Sequence, residues 1–161
     1  MRRPTIPILA LVVIAAAATL APARAHAQAT KPVLTLEQVK RVVAAAEAEA
    51  ARNDWNVVIA VVDDGGNLMY LQRNERVQLA SLQIAQKKAR SAAYYRRATK
   101  GFSDALAEGR TAVLTLPDAM PLEGGVPLLI GDVVVGAIGV SGVTAQQDGQ
   151  IAAAGAAALP N

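Results

Sequence analysis

The chain of 161 residues contains no cysteine and a single histidine, His26. Without cysteine there is no disulfide, no thiolate nucleophile and no thiol for lipid attachment, so the fold must be stabilised by packing. The histidine lies in an N-terminal segment that we expect to be removed. A chain without His and Cys cannot form a zinc site of the usual ligands or a Ser-His-Asp triad. Catalysis would have to come from carboxylate, Lys, Tyr or Ser side chains.

The first 27 residues have the three parts of a secretory signal peptide. Residues 1–3 carry positive charge, residues 6–20 are apolar, and residues 25–27 (Ala-His-Ala) form a small-x-small cleavage signal. The apolar run is shorter than the ~20 residues that a membrane span needs. We therefore expect a periplasmic or secreted protein without a membrane anchor after cleavage. Cleavage after Ala25 is the alternative and would leave the histidine at the new N-terminus.

The mature chain is also expected to carry no net charge. Removing the three arginines of the leader lowers the Lys and Arg count from 16 to 13, which equals the 13 Asp and Glu. This neutral balance removes the general argument for a nucleic-acid partner. Residues 28–161 are enough for one domain with a packed core. We place a linker at 28–34 and a single domain at 35–161.

Residues 124–142, GGVPLLIGDVVVGAIGVSG, predict a β-hairpin. Two runs of Val, Leu and Ile flank a Gly-Asp turn, in which Gly supplies the positive φ of a type II′ turn. Both faces of the second run are apolar, so this run should be a central strand between helices. Gly136, Gly139 and Gly142 permit the close approach of a packed helix, a ligand or another subunit.

Helical periodicity and two capping boxes predict helices that begin after Thr35 and Thr144 and end near Arg52 and Leu159. The elements expected between them are a strand (55–63), its hairpin partner (68–73), helices (79–97 and 102–108), and a strand or connector (111–116). Asp63 and Asp64, in the turn of the first hairpin, are interpreted as turn formers, with metal ligation as the alternative.

Ser81, Ala85, Lys88 and Ala92 share one helix face because they are spaced at i, i+4, i+7 and i+11. Small side chains let a partner come close, and the lysine amine is then a candidate anion anchor, helped by a neighbour such as Arg90. Alternatively, the lysine reaches solvent or pairs with a carboxylate. If this face and the glycine-rich strand line one cleft, a flat ligand with acidic groups could bind there.

The remaining basic side chains of this region, Lys87 among them, are interpreted as a solvated face or a subunit contact. Tyr94 and Tyr95 end the helix, one expected to be packed and one available as a hydrogen-bond donor or metal ligand.

Several motifs in order resemble the GlcG/HbpS family of haem-binding-type proteins, to which the PduO C-terminal domain is related. The motifs are VIAVVDDGG (58–66), S-x3-A-x2-K-A-x-S-A (81–92), GG-x-P (124–127), GD-x-VVGAIGVSG (131–142) and Gln-Asp (147–148) before an Ala-rich helix. The resemblance covers residues 34–159.

The resemblance implies an α+β fold, with an antiparallel five-stranded sheet and helices on both faces in a profilin- or PAS-like three-layer arrangement. It also implies self-association and the binding of haem or a related tetrapyrrole. The residues that match the motifs of the family are Ser81, Lys88, Gly124, Gly125, Gly136, Gly139, Ser141 and Gly142. Ser91 stands where the family more often has Thr. The Pro117–Pro121 loop, expected near the ligand, offers the Met120 sulfur but no other standard iron ligand.

Two function classes follow. The favoured one is an exported haem- or tetrapyrrole-binding protein, a sensor or scavenger, that forms homo-oligomers through its Ala-rich helix and Gly-rich strands. The alternative is a small enzyme or accessory subunit acting on a small carboxylate, with Lys88 as the reactive or anion-binding amine. The sequence shows no positioned acid/base pair, and an accessory subunit whose glycines serve assembly is a further alternative.

We predict that the protein is exported and cleaved near Ala27. The intact mass of protein from the periplasmic or secreted fraction should correspond to a chain beginning at Gln28. A full-length mass in the soluble cytoplasm would contradict this prediction.

Overall fold

The computed structural model describes residues 30–159; the expected signal peptide and the first two residues of the linker, 28 and 29, lie outside the described residues. The elements, in chain order, are α1 (Leu36–Arg52), β1 (Val58–Asp63), β2 (Leu68–Arg73), α2 (Ser81–Tyr95), α3 (Lys100–Ala107), a 3-10 helix (Thr111–Thr115), β3 (Gly125–Ile130), β4 (Val133–Ser141) and α4 (Ala145–Ala157). Within this part of the chain, no helix is both long and apolar enough to cross a bilayer.

Both predicted capping boxes are present. The Thr35 hydroxyl accepts a hydrogen bond from the backbone N–H of Gln38, and the Gln38 side chain accepts one from the Thr35 N–H. Thr144 and Gln147 repeat this reciprocal pair at the start of α4. Each box satisfies N–H groups that a helix start leaves without partners, which is worth about 1 kcal/mol.

The sheet is antiparallel with the strand order β2-β1-β4-β3. The prediction of a central β4 is confirmed, whereas the prediction of five strands is wrong: the described part of the chain has four. Residues 111–116, left open as strand or connector, are a connector, in which Thr111–Thr115 form the 3-10 helix. Their leucines, Leu114 and Leu116, are exposed instead of packed in a sheet, and the Thr115 hydroxyl donates to the Ala112 carbonyl at 2.8 Å.

Helices cover both faces of the sheet, as expected. Helices α1 and α4 pack on one face, where Val42, Ile138 and Ile151 are fully buried in the larger core cluster. Helix α2 packs on the opposite face, against alternate side chains of β1 and β4. These two layers and the sheet between them make up the three-layer arrangement.

The contact between α2 and β4 is unusually close because glycine lies on the strand. A Cβ atom built on Gly139 would lie 2.1 Å from the carbonyl oxygen of Ala85 and 2.5 Å from the backbone nitrogen of Ala89. Such distances are far below van der Waals contact. Helix backbone therefore rests directly on strand backbone, and the glycine serves helix–sheet packing rather than an opening for a ligand.

The turn between β1 and β2 is ordered by Asp63. Its carboxylate accepts hydrogen bonds from the backbone N–H groups of Gly65 (2.9 Å) and Asn67 (2.8 Å). Burial acts to raise the pKa of Asp63, but the hydrogen bonds from Asn67 and Gly65 outweigh it and hold the pKa below its ordinary value. The carboxylate has the turn-forming role that the sequence favoured.

We predict that Gly139→Ala lowers the free energy of unfolding by at least about 3 kcal/mol, since the added methyl group must push α2 off the sheet. Gly101→Ala is the matched control. A Cβ atom there meets nothing within 4 Å, and the exchange in a helix should be neutral or stabilising by up to about 1 kcal/mol. Urea unfolding of both variants measures the difference, and similar midpoints would contradict the close contact.

Candidate functional site

Lys88 is among the largest side chains that are fully buried in the described residues. Its ammonium group donates to the Asp148 carboxylate at 2.7 Å and to the Val140 carbonyl at 2.9 Å. The side chains of Lys88 and Asp148 are only 2% and 3% exposed. The pair links α2 to the end of β4 and to the first turn of α4. The alternative interpretation of Lys88, pairing with a carboxylate, therefore holds, and its amine does not face solvent.

Gly124 makes room for this ion pair. A Cβ atom there would lie 2.8 Å from the lysine nitrogen, and equally close to the Asp148 Cβ and the Val140 carbonyl oxygen. Gly124 also has φ +125, a backbone conformation that other residues rarely adopt. Burial raises the pKa of Asp148, opposed by the hydrogen bond and the charge of Lys88 and by backbone N–H groups, including that of Val143.

The cleft expected between the small face of α2 and the glycine-rich strand does not form among residues 30–159. Ala85 lies against Gly139, and the Ser141 hydroxyl donates to Ser81 at 3.2 Å inside the helix–sheet contact. Backbone atoms also fill the space beside Gly125 and Gly142. The candidate residues that occupy such packing positions are Ser81, Ala85, Lys88, Gly124, Gly125, Gly139, Ser141 and Gly142.

The other two candidates, Arg90 and Met120, meet in an open groove of about 220 Å³ on the outer side of α2. One wall carries the exposed cations Lys87 and Arg90, and the other is the Pro117–Pro121 loop with Asp118, Ala119 and Met120. We call this the α2–loop groove. An adjoining hollow of about 180 Å³ is lined by the same two cations together with glutamines of α2. Lys87 and Arg90 thus face two connected depressions.

Sequence reasoning missed Lys87 as a site residue, although a signal was present. Lys87 and Arg90 are three residues apart and therefore neighbours on one helix face, while Lys88 points about 100° away from Lys87. The apolar and small residues mark the buried face of α2, so the exposed cations had to lie on the side opposite to it.

The loop wall is attached to α2 by two hydrogen bonds. The Tyr95 hydroxyl donates to the Pro117 carbonyl at 2.6 Å, and the Met120 N–H donates to the Ser91 hydroxyl at 3.0 Å. Tyr94 instead lies with its ring over Gly66 and is about half exposed. One tyrosine is thus a hydrogen-bond donor, as the sequence suggested, and it serves the loop.

A larger hollow of about 250 Å³ lies on the opposite side of the sheet, between α1 and β2. It is lined by Trp55 and by side chains of both charge signs, Glu47 and Arg73 among them, and shares no residue with the α2–loop groove. We place the candidate site in the smaller groove because cations and an apolar surface converge there. The described residues show no group of three or more His, Cys, Asp or Glu side chains that could hold a metal ion.

The α2–loop groove has the chemistry of an anion site with an apolar side. Lys87 and Arg90 can pair with carboxylates, and Ala119 and Met120 offer a surface for a flat apolar ring. The Met120 thioether is a soft donor suited to haem iron, whereas the Tyr95 hydroxyl is engaged by the loop. The residues present therefore fit a tetrapyrrole that carries acidic side groups.

Fold and groove together define an α+β domain with a cationic, partly apolar binding surface. Residues 34–157 match the family described as "Haem degrading protein HbpS-like", and the chain belongs to this HbpS-like family. It is 45% identical over 112 residues to Protein GlcG of Escherichia coli (strain K12), a match that covers 70% of this chain and 84% of that protein.

Solved structures agree with this assignment. A double mutant of Streptomyces reticuli HbpS is 31% identical with a TM-score of 0.75, covering 83% of this chain and 92% of that one. A PduOC chain, solved as a haem complex, is 26% identical with a TM-score of 0.71, covering 79% of this chain and 95% of that one. The family and these relatives support a haem-related function.

We predict that Lys88→Met destabilises the fold by about 3–5 kcal/mol at neutral pH, because it leaves the Asp148 carboxylate buried and unpaired. Removing the lysine also removes an interaction that lowers the pKa of Asp148. A carboxyl group with a raised folded-state pKa contributes stability at pH values below its unfolded-state pKa, and this contribution is lost as pH rises through the folded-state pKa.

The stability deficit of Lys88→Met relative to the unchanged protein should therefore shrink as pH falls toward about 4. Urea unfolding across this range measures the deficit. Lys87→Met, the same exchange on the exposed side of the helix, should cost little at any pH. A deficit for Lys88→Met that stays constant with pH would show that Asp148 is not the source.

Proposed function

We propose that this chain is an exported protein that binds haem or a related tetrapyrrole in the α2–loop groove, as a sensor or scavenger. The observation that carries the proposal is the convergence of Lys87 and Arg90 with the apolar surface of Ala119 and Met120 in one groove. Membership of a family described by haem degradation, and the haem complex of a structural relative, support the choice of ligand.

The residues have distinct tasks in this proposal. The cations Lys87 and Arg90 pair with the carboxylates of the ligand, and Arg90 is oriented by its Nε–H, which donates to the Gly66 carbonyl at 3.3 Å. Ala119 and the Met120 side chain contact the ring. Bound haem would supply an iron centre for redox and ligand-binding chemistry, for which the Met120 sulfur is the candidate protein ligand.

The size of the groove supports self-association. Its volume of about 220 Å³ is below the roughly 300–1,000 Å³ of pockets that enclose a ligand. The groove can therefore hold one edge of a tetrapyrrole and leave the rest of the ring uncovered. A second copy of the chain would cover that surface, which agrees with the homo-oligomer expected from the sequence.

The enzyme alternative that used Lys88 has less support. Its amine is buried, bonded to a carboxylate and a carbonyl, and closed off by Gly124 and Val140. A substrate could reach it only after the ion pair is broken, at a cost of several kcal/mol. Degradation of haem, the activity named in the family description, is distinguished from binding in the experiment below.

We predict that haemin titrated into the purified protein gives a saturable Soret shift. Lys87→Gln and Arg90→Gln should each weaken binding roughly tenfold, and added salt should reduce the difference, because each variant removes a charge-assisted contact at a solvent-exposed site. Lys40→Gln is the matched control, since Lys40 is an exposed lysine of α1, on the other face of the sheet. Light scattering of the same samples measures the oligomeric state.

A flat absorption response of the unchanged protein would overturn the proposal. Equal affinities for Lys40→Gln and the two groove variants would show that haemin binds elsewhere. Bleaching of the Soret band after addition of a reductant and oxygen, faster than for free haemin, would assign degradation rather than storage or sensing.

A further inference from the structure

The loop wall of the groove belongs to a separate excursion of the chain, residues 100–124. The excursion is closed at its base by two buried hydrogen bonds between the same residues: the Thr99 N–H donates to the Gly125 carbonyl at 3.0 Å, and the Gly125 N–H donates to the Thr99 hydroxyl at 2.9 Å. Between these points the chain runs outside the sheet. Helix α3 and the 3-10 helix pack mainly against each other.

The two walls of the groove are therefore held by different means. The α2 wall is fixed by the close packing of that helix on the sheet. The loop wall is exposed at Pro117 and Asp118, and Asp118 has a φ of +55, which is uncommon for a residue other than glycine. A backbone in this region requires surrounding contacts to persist. The turn around Asp118 is closed by the Ala119 N–H, which donates to the Leu116 carbonyl at 3.3 Å, and the hydrogen bonds from Tyr95 and to Ser91 attach it to α2.

Ser91 and Tyr95 are arranged to hold the loop in one position. They are four residues apart and therefore lie on the same side of α2, directed at the excursion. The Ser91 side chain is fully buried. The Tyr95 ring meets the buried Phe102 ring edge-to-face at 5.0 Å, and the Arg97 guanidinium lies 3.9 Å from the centre of the Phe102 ring. These contacts orient the Tyr95 hydroxyl toward Pro117.

We propose that Ser91 and Tyr95 are positioning residues, which set the distance between Met120 and the cations of α2 and thereby the width of the groove. The effect on ligand binding rests on the proposed function. The positioning of the loop by Ser91 and Tyr95 does not depend on it. Ser91 holds the Met120 backbone directly, and Tyr95 holds the loop at Pro117, the residue before the strained Asp118. Neither side chain lines the groove, so each acts through the loop.

The test compares Ser91→Ala and Tyr95→Phe, with Tyr94→Phe as the matched control. Tyr94→Phe removes the same hydroxyl one residue away, where the described structure gives it no hydrogen bond to the loop. Hydrogen exchange of a peptide containing Met120 measures how firmly the loop is held, without any ligand. Exchange of peptides from β4 reports whether the fold is intact. Haemin titration measures affinity and the Soret position.

We expect both variants to speed exchange in the Met120 peptide several-fold while β4 stays protected. Haemin binding should weaken about fivefold, as loss of one hydrogen bond implies, and the Soret position should change. Tyr94→Phe should match the unchanged protein in each respect. Unchanged Met120 exchange in both variants would overturn the inference, as would faster exchange with unchanged haemin affinity and spectrum.

Failure of the proposed function has a different signature. In that case the unchanged protein gives no haemin response, yet hydrogen exchange in the Met120 peptide is still faster in the two variants. The expected effect on ligand binding is then overturned together with the proposed function. Should Ser91→Ala also expose β4, Tyr95→Phe decides the question alone, because its hydroxyl lies outside the core.

Discussion

The arrangement of the domain depends on one ion pair that is almost completely withdrawn from water. Lys88 belongs to α2, which covers one face of the sheet, and Asp148 belongs to α4, which packs on the other face. Burying both charges is costly, so such a pair contributes little net stability compared with apolar residues of the same size. In the observed alignment of α2, β4 and α4 both charged groups have hydrogen-bond partners, and Gly124 leaves room for them because any side chain there would occupy the same space.

Close packing around this pair determines where function can reside. Because α2 rests with its backbone on Gly139, the inner side of the helix offers no room for a ligand. Binding groups must lie on its outer side, where Lys87 and Arg90 are exposed. The excursion of residues 100–124 then provides the opposing wall. A single helix thus has a structural face and a binding face, and the two adjacent lysines, Lys87 and Lys88, fall on different ones.

Local signals in the sequence predicted most of the elements. The capping residues Thr35 and Thr144 located two helix starts, and runs rich in Val, Leu and Ile on either side of a glycine-containing turn predicted the hairpins. The count of five strands followed from the family resemblance and was wrong. Residues 111–116, which the sequence left open as a strand or a connector, form a connector with a 3-10 helix.

The site was harder to predict, because a helix face of small side chains with one lysine can either line a ligand-binding cleft or pack against the sheet with its lysine paired to a carboxylate. The partner of Lys88 lies 60 residues away in sequence, and only the tertiary structure shows that Asp148 meets it. The same reasoning identified Arg90 and Met120 but could not bring them together, since the Pro117–Pro121 loop has no regular periodicity from which to infer its path.

The position of β4 in the sheet also has a consequence for how the chain folds. This strand is the last of the four in sequence, yet it lies in the middle, bonded to β1 on one side and β3 on the other, with Val58 opposite Ser141. The β1–β2 hairpin therefore keeps one edge without a partner until nearly the whole domain is available. Pairing over such a long sequence separation slows folding. Completion of the core is thus a late, cooperative event that requires β4, not a growth outward from the first hairpin.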